Sequence, residues 1–331
     1  MNFKYILVLL FSAIFVFKLS FGSPFEDFDY DYDSQINFNE VWGYLMRGEE
    51  KLFTKKAPIT DVFYFSASVN EKGLINTSVN PPHKPFFKGG DQRIHLVISD
   101  LTNSSRMTLC LNKKYKVRDK LIKNIAEVSE KFDGVQIDFE AVLKKDKGAF
   151  LVFLRDLKKN LPSGKILSIA VPPKRMYTDD AYDYLLISKI ADRVLVMAYD
   201  QHWSKSKPGP VASLNWCKEV ADYASKNISK QKLIMGLPLY GREWQDDGPS
   251  RSIKWSHMTE LLERDDIEIE YSLEEGFKIM YEENLKKVLY CDDVKATKYK
   301  LALYSKYNVG VGFWRLGMEN KELWDLITVS K

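Results

Sequence analysis

Nine consecutive residues constrain this chain more than any others: Phe132-Asp133-Gly134-Val135-Gln136-Ile137-Asp138-Phe139-Glu140. Val135, Ile137 and Phe139 alternate with Gln136, Asp138 and Glu140. That is the period of a β-strand, whose successive side chains point to opposite faces. One face is apolar, and the other carries an amide and two carboxyls. Desolvating three such groups is costly unless they find hydrogen bonds. An apolar face laid on helices and a polar face turned inward is the pattern of an α/β-barrel strand near its carboxyl end. The polar trio therefore marks both a fold and a candidate site.

The remaining alternation agrees with such a fold. Strands are expected at Val41–Met46, Asp61–Ala67 and Arg93–Ser99, then at the polar-trio strand. They continue at Lys165–Val171, Arg193–Tyr199, Lys232–Leu237 and Val309–Leu316. Helical spacing of apolar residues runs through Lys116–Lys131, where Leu121, Ile122, Ile125 and Val128 form one stripe. Further helices are expected at about Lys147–Asn160, Asp180–Ile190, Leu214–Ala224 and Asp293–Tyr307. The closing segment, Lys321–Val329, reads as helical, and Asn80–Gly90 as loop. Between the seventh and eighth strands lies an excursion, about residues 245–292, with strand-like runs Ile267–Tyr271, Phe277–Tyr281 and Val288–Cys291. Eight strands, with helices after most of them, predict a (β/α)8 TIM barrel with a small α+β insertion between strands 7 and 8. The alternative is a doubly wound open sheet. It is weakened because no G-x-G-x-x-G stands at a strand–helix junction.

The N-terminus bounds the compartment. Lys4 precedes an apolar run from Tyr5 to Phe17, followed by Lys18 and the small residues Ser20 and Gly22. This predicts a signal peptide over residues 1–22 and export to the periplasm, cell envelope or exterior. The competing reading is an uncleaved membrane anchor, but Lys18 interrupts the run short of the ~20 residues a spanning helix needs. Residues 23–37, acidic and aromatic, read as a linker or arm, leaving 38–331 for the barrel. The 49 basic and 45 acidic residues are interspersed and net to +4, a mixed surface that argues against a nucleic-acid partner. His83, His95, His202, His257, Cys110, Cys217 and Cys291 show no metal-ligand spacing, so neither metal nor cofactor is expected. The three cysteines read as buried apolar residues in preference to a disulfide.

In a barrel of this kind the chemistry sits at the carboxyl ends of the strands. Those ends carry Asp138 and Glu140; then Met197-Ala198-Tyr199-Asp200-Gln201-His202-Trp203; then Gly236-Leu237-Pro238-Leu239-Tyr240-Gly241-Arg242-Glu243-Trp244; and Gly312-Phe313-Trp314-Arg315-Leu316-Gly317. Aromatic faces stack on sugar rings, and carboxyls bind hydroxyls and move protons. The set suits a carbohydrate. Two carboxyls on alternate residues of one strand lie ~6.6–7 Å apart at Cα. They titrate as a pair, and the charge of one raises the other. On this reasoning the proton is expected on Glu140.

These runs resemble family-18 glycoside hydrolases, the chitinase-like enzymes. D-G-V-Q-I-D-F-E is similar to their D-G-x-D-x-D-x-E, matching at Asp133, Gly134, Asp138 and Glu140. Met-Ala-Tyr-Asp resembles M-x-Y-D, Gly-Leu-Pro-Leu-Tyr-Gly-Arg resembles G-x-P-x-Y-G-R, and Gly-Phe-Trp-Arg-Leu-Gly looks like the eighth-strand segment. Gln136 departs, since Asp is usual there. An amide at this place looks like the spore-cortex-lysing and N-acetylglucosaminidase branch. The third strand departs too, ending Ile98-Ser99-Asp100-Leu101 where Ser-x-Gly-Gly is common.

The resemblance implies a glycosidase acting on β-linked N-acetylglucosamine, in chitin oligosaccharides or peptidoglycan strands, by a substrate-assisted retaining mechanism. Glu140 would be acid then base, Asp138 would hold the acetamido N–H, and Tyr199 its oxygen. Trp314 would floor the sugar. Met197, Asp200 and Arg242 would shape the pocket, and Tyr44 and Ser99 would support Gln136, which would orient Asp138. The short insertion suggests a shallow groove, hence short substrates or exo action. A sugar-binding, lectin-like protein on the same barrel is the alternative.

Overall fold

The computed structural model describes residues 34–75, 80–82, 91–246 and 250–330. The expected signal peptide, residues 23–33 of the expected arm, and His83 lie outside the described residues. In chain order the elements begin with β1 (Ile36–Phe38), β2 (Val41–Met46), β3 (Asp61–Ser68) and β4 (Arg93–Asp100). They continue with α1 (Ser104–Leu111), α2 (Val117–Ser129), β5 (Gly134–Phe139), α3 (Lys147–Asn160), β6 (Ile166–Val171), α4 (Tyr184–Ser188), β7 (Arg193–Val196), α5 (Leu214–Asn227) and β8 (Leu233–Pro238). The insertion follows: β9 (Gly241–Gln245), β10 (Arg251–Ile253), α6 (Trp255–Leu262), β11 (Ile267–Ser272), β12 (Gly276–Glu282) and β13 (Lys286–Cys291). The chain closes with α7 (Val294–Lys306), β14 (Gly310–Trp314) and β15 (Ile327–Val329).

Strands β2 to β8 run in sequence order, each parallel to the next, and β14 closes the ring between β8 and β2. This is the (β/α)8 barrel, and all eight expected strands are in it. Its interior is filled by side chains of alternate residues: Trp42, Tyr44, Phe63, Val97, Ala170, Leu195 and Ile234. Trp42 stacks on Phe63 at 4.1 Å, and Phe63 on His95 at 4.5 Å. Beneath them the amino-terminal mouth is closed by charge. His95 and Arg93 reach Asp61 at 2.8 and 2.6 Å, and Arg193 reaches Glu40 at 2.6 Å. Burial raises the Asp61 carboxyl, but its hydrogen bonds to His95 and Arg93 outweigh that and bring it down to about 2. Outside the ring, the apolar face of β5 meets α3, with the Phe139 ring 6.5 Å from Phe150 and 5.9 Å from Phe153.

The differences from expectation have local causes. Helix α1 was not anticipated. Asn103 caps it, accepting from the Arg106 N–H, and Met107, Cys110 and Leu111 bury its short face. Eight residues give too little periodicity to stand out. The insertion begins at Gly241, not near 245, because β9 pairs with both β10 and β13 in an antiparallel sheet of order β10-β9-β13-β12-β11. Helix α6 covers one face of that sheet through Met258 and Leu261, against Ile279 and Leu289. The C-terminal segment is not helical throughout. A 3-10 turn over Lys321–Leu326 leads into β15, which pairs parallel with β1, Ile36 opposite Ile327 and Phe38 opposite Val329. The β-branched run Ile327-Thr328-Val329 prefers a strand once a partner exists, and that partner is some 290 residues away. Residues 36 and 37, read as part of an arm, are thus paired. All three cysteines are free and buried.

Candidate active site

Strand β5 delivers the polar trio to the barrel axis. Gln136 is wholly buried and Asp138 nearly so, while Glu140, one residue past the strand, is exposed at the mouth. The strand end is fixed from outside. The Tyr182 hydroxyl donates to the Phe139 carbonyl at 2.7 Å and accepts from the Val142 N–H at 3.3 Å. The Glu140 N–H donates to the Asp100 carbonyl at 3.0 Å. Above lies a cavity of about 250 Å³ lined by Tyr44, Phe65, Leu101, Asp138, Glu140, Ala170, Met197, Tyr199, Asp200 and Trp314. Seven of the nine expected site residues therefore meet there, contributed by β2, β5, β14 and the turn after β7. Gln136 and Arg242 stand behind the wall.

Their contacts show why. The Tyr44 hydroxyl donates to Gln136 Oε1 at 2.5 Å, and Gln136 Nε2 faces Ser168 Oγ at 3.4 Å. Gln136 is thus held by Tyr44 and Ser168, not by a hydrogen bond to Asp138. The Ser99 hydroxyl, expected to help hold it, donates instead to the Ala67 carbonyl at 3.4 Å. Asp138 Oδ1 is buried with no protein hydrogen-bond partner. Arg242 grips Asp200 from β9 at 2.8 Å, and the Tyr240 hydroxyl donates to the same oxygen at 2.5 Å. Asp200 sits in the left-handed region at φ 56°, an uncommon conformation for a non-glycine residue, and these two partners hold it there. Tyr240 and Ser168 were missed by sequence reasoning. The Tyr240 position lay in the seventh-strand motif, whereas nothing in the local pattern marked Ser168.

Strand β7 ends earlier than expected, and this aims its residues. The Ala198 N–H bonds the Val196 carbonyl and the Tyr199 N–H the Met197 carbonyl, both at 2.8 Å. These successive tight turns leave the ladder and present Met197 and Tyr199 to the cavity. Gly236 makes room beside them: a Cβ there would lie 2.8 Å from Tyr199 Cε1 and 2.8 Å from the Val196 carbonyl oxygen. Trp314 forms another wall, edge-on to Tyr44 at 5.2 Å and to Phe65 at 5.1 Å. His202 does not reach the cavity. Its Nδ1 bonds the Pro210 carbonyl at 2.9 Å, and its ring lies over Gly209. Trp203, beyond it, is half exposed.

The electrostatics follow from burial and crowding of carboxyls. Desolvation, then the neighbouring Glu140, push Asp138 up to about 8. Desolvation, then Asp200, raise Glu140 also. Asp138 is the more buried of the pair, and both carboxyls stand above their ordinary range, so the pair retains a proton toward neutral pH. Burial and the surrounding anions raise Tyr199 well above its ordinary value, so it remains a hydrogen-bond donor.

A parallel eight-stranded barrel with a carboxyl pair and an aromatic wall at the carboxyl ends of its strands defines a glycosidase-type site. Residues 46–319 match the family described as glycosyl hydrolases family 18, and the chain belongs to that family. It is 32% identical over 206 residues to the uncharacterized glycosylase YvbX of Bacillus subtilis, covering 59% of this chain and 60% of that protein. It is 27% identical over 251 residues to the cortical fragment-lytic enzyme of Bacillus anthracis, covering 70% and 58%. The crystal structure of the Bacillus cereus spore cortex-lytic enzyme SleL superposes with a TM-score of 0.79 at 23% identity, covering 90% of this chain and 76% of that one. This chain spans about 60% of the length of the curated relatives it matches. Among the described residues, no helix is long and apolar enough to cross a membrane.

Proposed function

We propose that this chain hydrolyses β-linked N-acetylglucosamine in a glycan, with the substrate's own acetamido group as nucleophile. The observation that carries the reading is the Asp138 oxygen, buried at the cavity floor without a protein partner and two residues from Glu140. Leaving such an oxygen unpaired is costly, and an acetamido N–H would satisfy it. No second carboxylate is needed as nucleophile, in contrast to the usual retaining pair. The acetamido oxygen attacks the anomeric carbon while a proton on Glu140 passes to the leaving oxygen. The cyclic oxazolinium-like intermediate is then opened by water, which returns its proton to Glu140. Tyr199 donates to the acetamido oxygen, and the Asp138 carboxyl offsets the developing positive charge on the acetamido group. The proton retained by the raised pair is the one Glu140 passes to the leaving oxygen.

Cortical fragments, which the Bacillus anthracis relative's name says it lyses, are the favoured glycan, with chitin oligosaccharides second. Hydrolysis of chromogenic mono-, di- and tri-N-acetylglucosaminides tests the proposal, with Glu140→Gln alongside. We expect turnover in the parent and a loss of about a thousandfold in the variant, the scale of a missing general acid. Tight sugar binding without turnover in either protein would leave the lectin-like alternative. The preferred chain length separates exo from endo action.

A further inference from the structure

Beyond Trp314 the chain runs directly into a second cleft on the same face of the barrel. The Leu316 N–H donates to the carbonyl of Tyr44 at 2.9 Å, and the next residues, Gly317 and Met318, line a cavity of about 440 Å³. The opposite wall is the segment after β2, joined to the first by an ion pair between Arg315 and Glu49. The start of α6 closes the end. Lys51, Lys55, Lys254 and Lys321 line this cleft with the hydroxyl-bearing Thr54 and Ser256. All four lysines are exposed, and among the described residues none has an ion-pair partner. The one carboxylate in the lining, Glu319, is engaged by the Gly317 N–H at 2.6 Å and Trp324 Nε1 at 3.4 Å.

Four lysines against one carboxylate give this concavity a net positive charge. A neutral N-acetylglucosamine polymer gains no charge pairing from them. We propose that this cleft binds the carboxylate substituents of an acidic glycan whose backbone lies in the adjacent catalytic cavity. It thereby selects peptidoglycan-type strands over chitin. The inference rests on the catalytic cavity being an N-acetylglucosamine site. The carboxylates have two sources of the same chemistry, the lactyl ether of the sugar and the peptide stem attached to it.

The test measures binding, so it does not depend on turnover. Full-chain Glu140→Gln protein is titrated calorimetrically with intact peptidoglycan fragments, with the same fragments after carboxyl amidation, and with peptide-free strands. The titrations are repeated with Lys51→Ala, Lys55→Ala, Lys254→Ala and Lys321→Ala combined in that background. We expect the combined variant to bind intact fragments about tenfold more weakly, the sum of four exposed ion pairs. Amidated fragments should bind both proteins alike, and the difference should shrink in about 0.5 M salt as screening shortens. Retained discrimination with peptide-free strands assigns the lactyl carboxylate, and its loss assigns the peptide. Equal binding of acidic and amidated fragments, an unchanged combined variant, or no binding of acidic fragments at all overturns the proposal. In parallel, the combined variant with Glu140 restored should cleave neutral tri-N-acetylglucosaminide as the parent does. A parent that fails on that substrate defeats the catalytic reading, while the charge discrimination still reports on the cleft.

Discussion

At the scale of single residues, the pH behaviour of Asp138 is the most exposed to test. Its carboxyl lies at about 8 in the folded protein and near ~3.9 in an unfolded chain. Between those values the folded state keeps a proton that the unfolded state has released. Stability therefore falls as pH rises from about 4 to 8 and levels off above. Asp138→Asn carries no charge to desolvate, so its thermal midpoint should hold at pH 8 where the parent's declines; parallel profiles for the two proteins would refute the assignment. The same proton sets the rate, and kcat/KM should fall through an alkaline limb near 8. Gln136 is the second test. Gln136→Ala removes the acceptor for the Tyr44 hydroxyl and should lower turnover. Gln136→Asp brings a third carboxyl that can share the proton and should chiefly move the alkaline limb. Equal, flat responses to both would show that this amide only fills space. The trio itself was legible because a strand's period puts alternate residues on one face. The partners of Gln136 were not, because Ser168 meets it only through the pairing of β5 with β6.

At the scale of elements, alternation found every barrel strand, since interior and exterior faces of a barrel differ sharply. It could not find what depends on a partner. Strand β9 was read as the tail of a motif, and only its pairing with β13 makes it the root of the insertion. Likewise β7 stops at Val196 because the chain leaves the ladder in two tight turns, a choice its apolar sequence does not announce. That departure can be probed from β8. Gly236→Ala would thrust a methyl against the Tyr199 ring and the Val196 carbonyl. The backbone atom cannot yield easily, and overpacking of this kind costs about 1–3 kcal/mol. We expect a folded protein with a lowered thermal midpoint and a disproportionate loss of kcat, as Tyr199 is moved from its station. Unchanged kcat in the folded variant would show that Tyr199 does not contribute to turnover.

For the molecule as a whole, the two-stranded clasp of β1 and β15 joins segments from opposite ends of the barrel body. Ile36 and Ile327 are both buried there. Ile327→Ala should cost about 2–5 kcal/mol, as for other truncations of buried aliphatic side chains. Calorimetry should show a single lowered transition if the clasp unfolds with the barrel. An early separate transition would mean that the clasp melts alone. The clasp has a further consequence. Its strands are three residues long and parallel, so the chain enters and leaves the barrel body within a strand's width and ~7–10 Å of strand length. A module with neighbouring entry and exit points can be spliced into a surface loop of another protein, or have its ends rejoined and be opened elsewhere, without disturbing the ring of strands that holds the site.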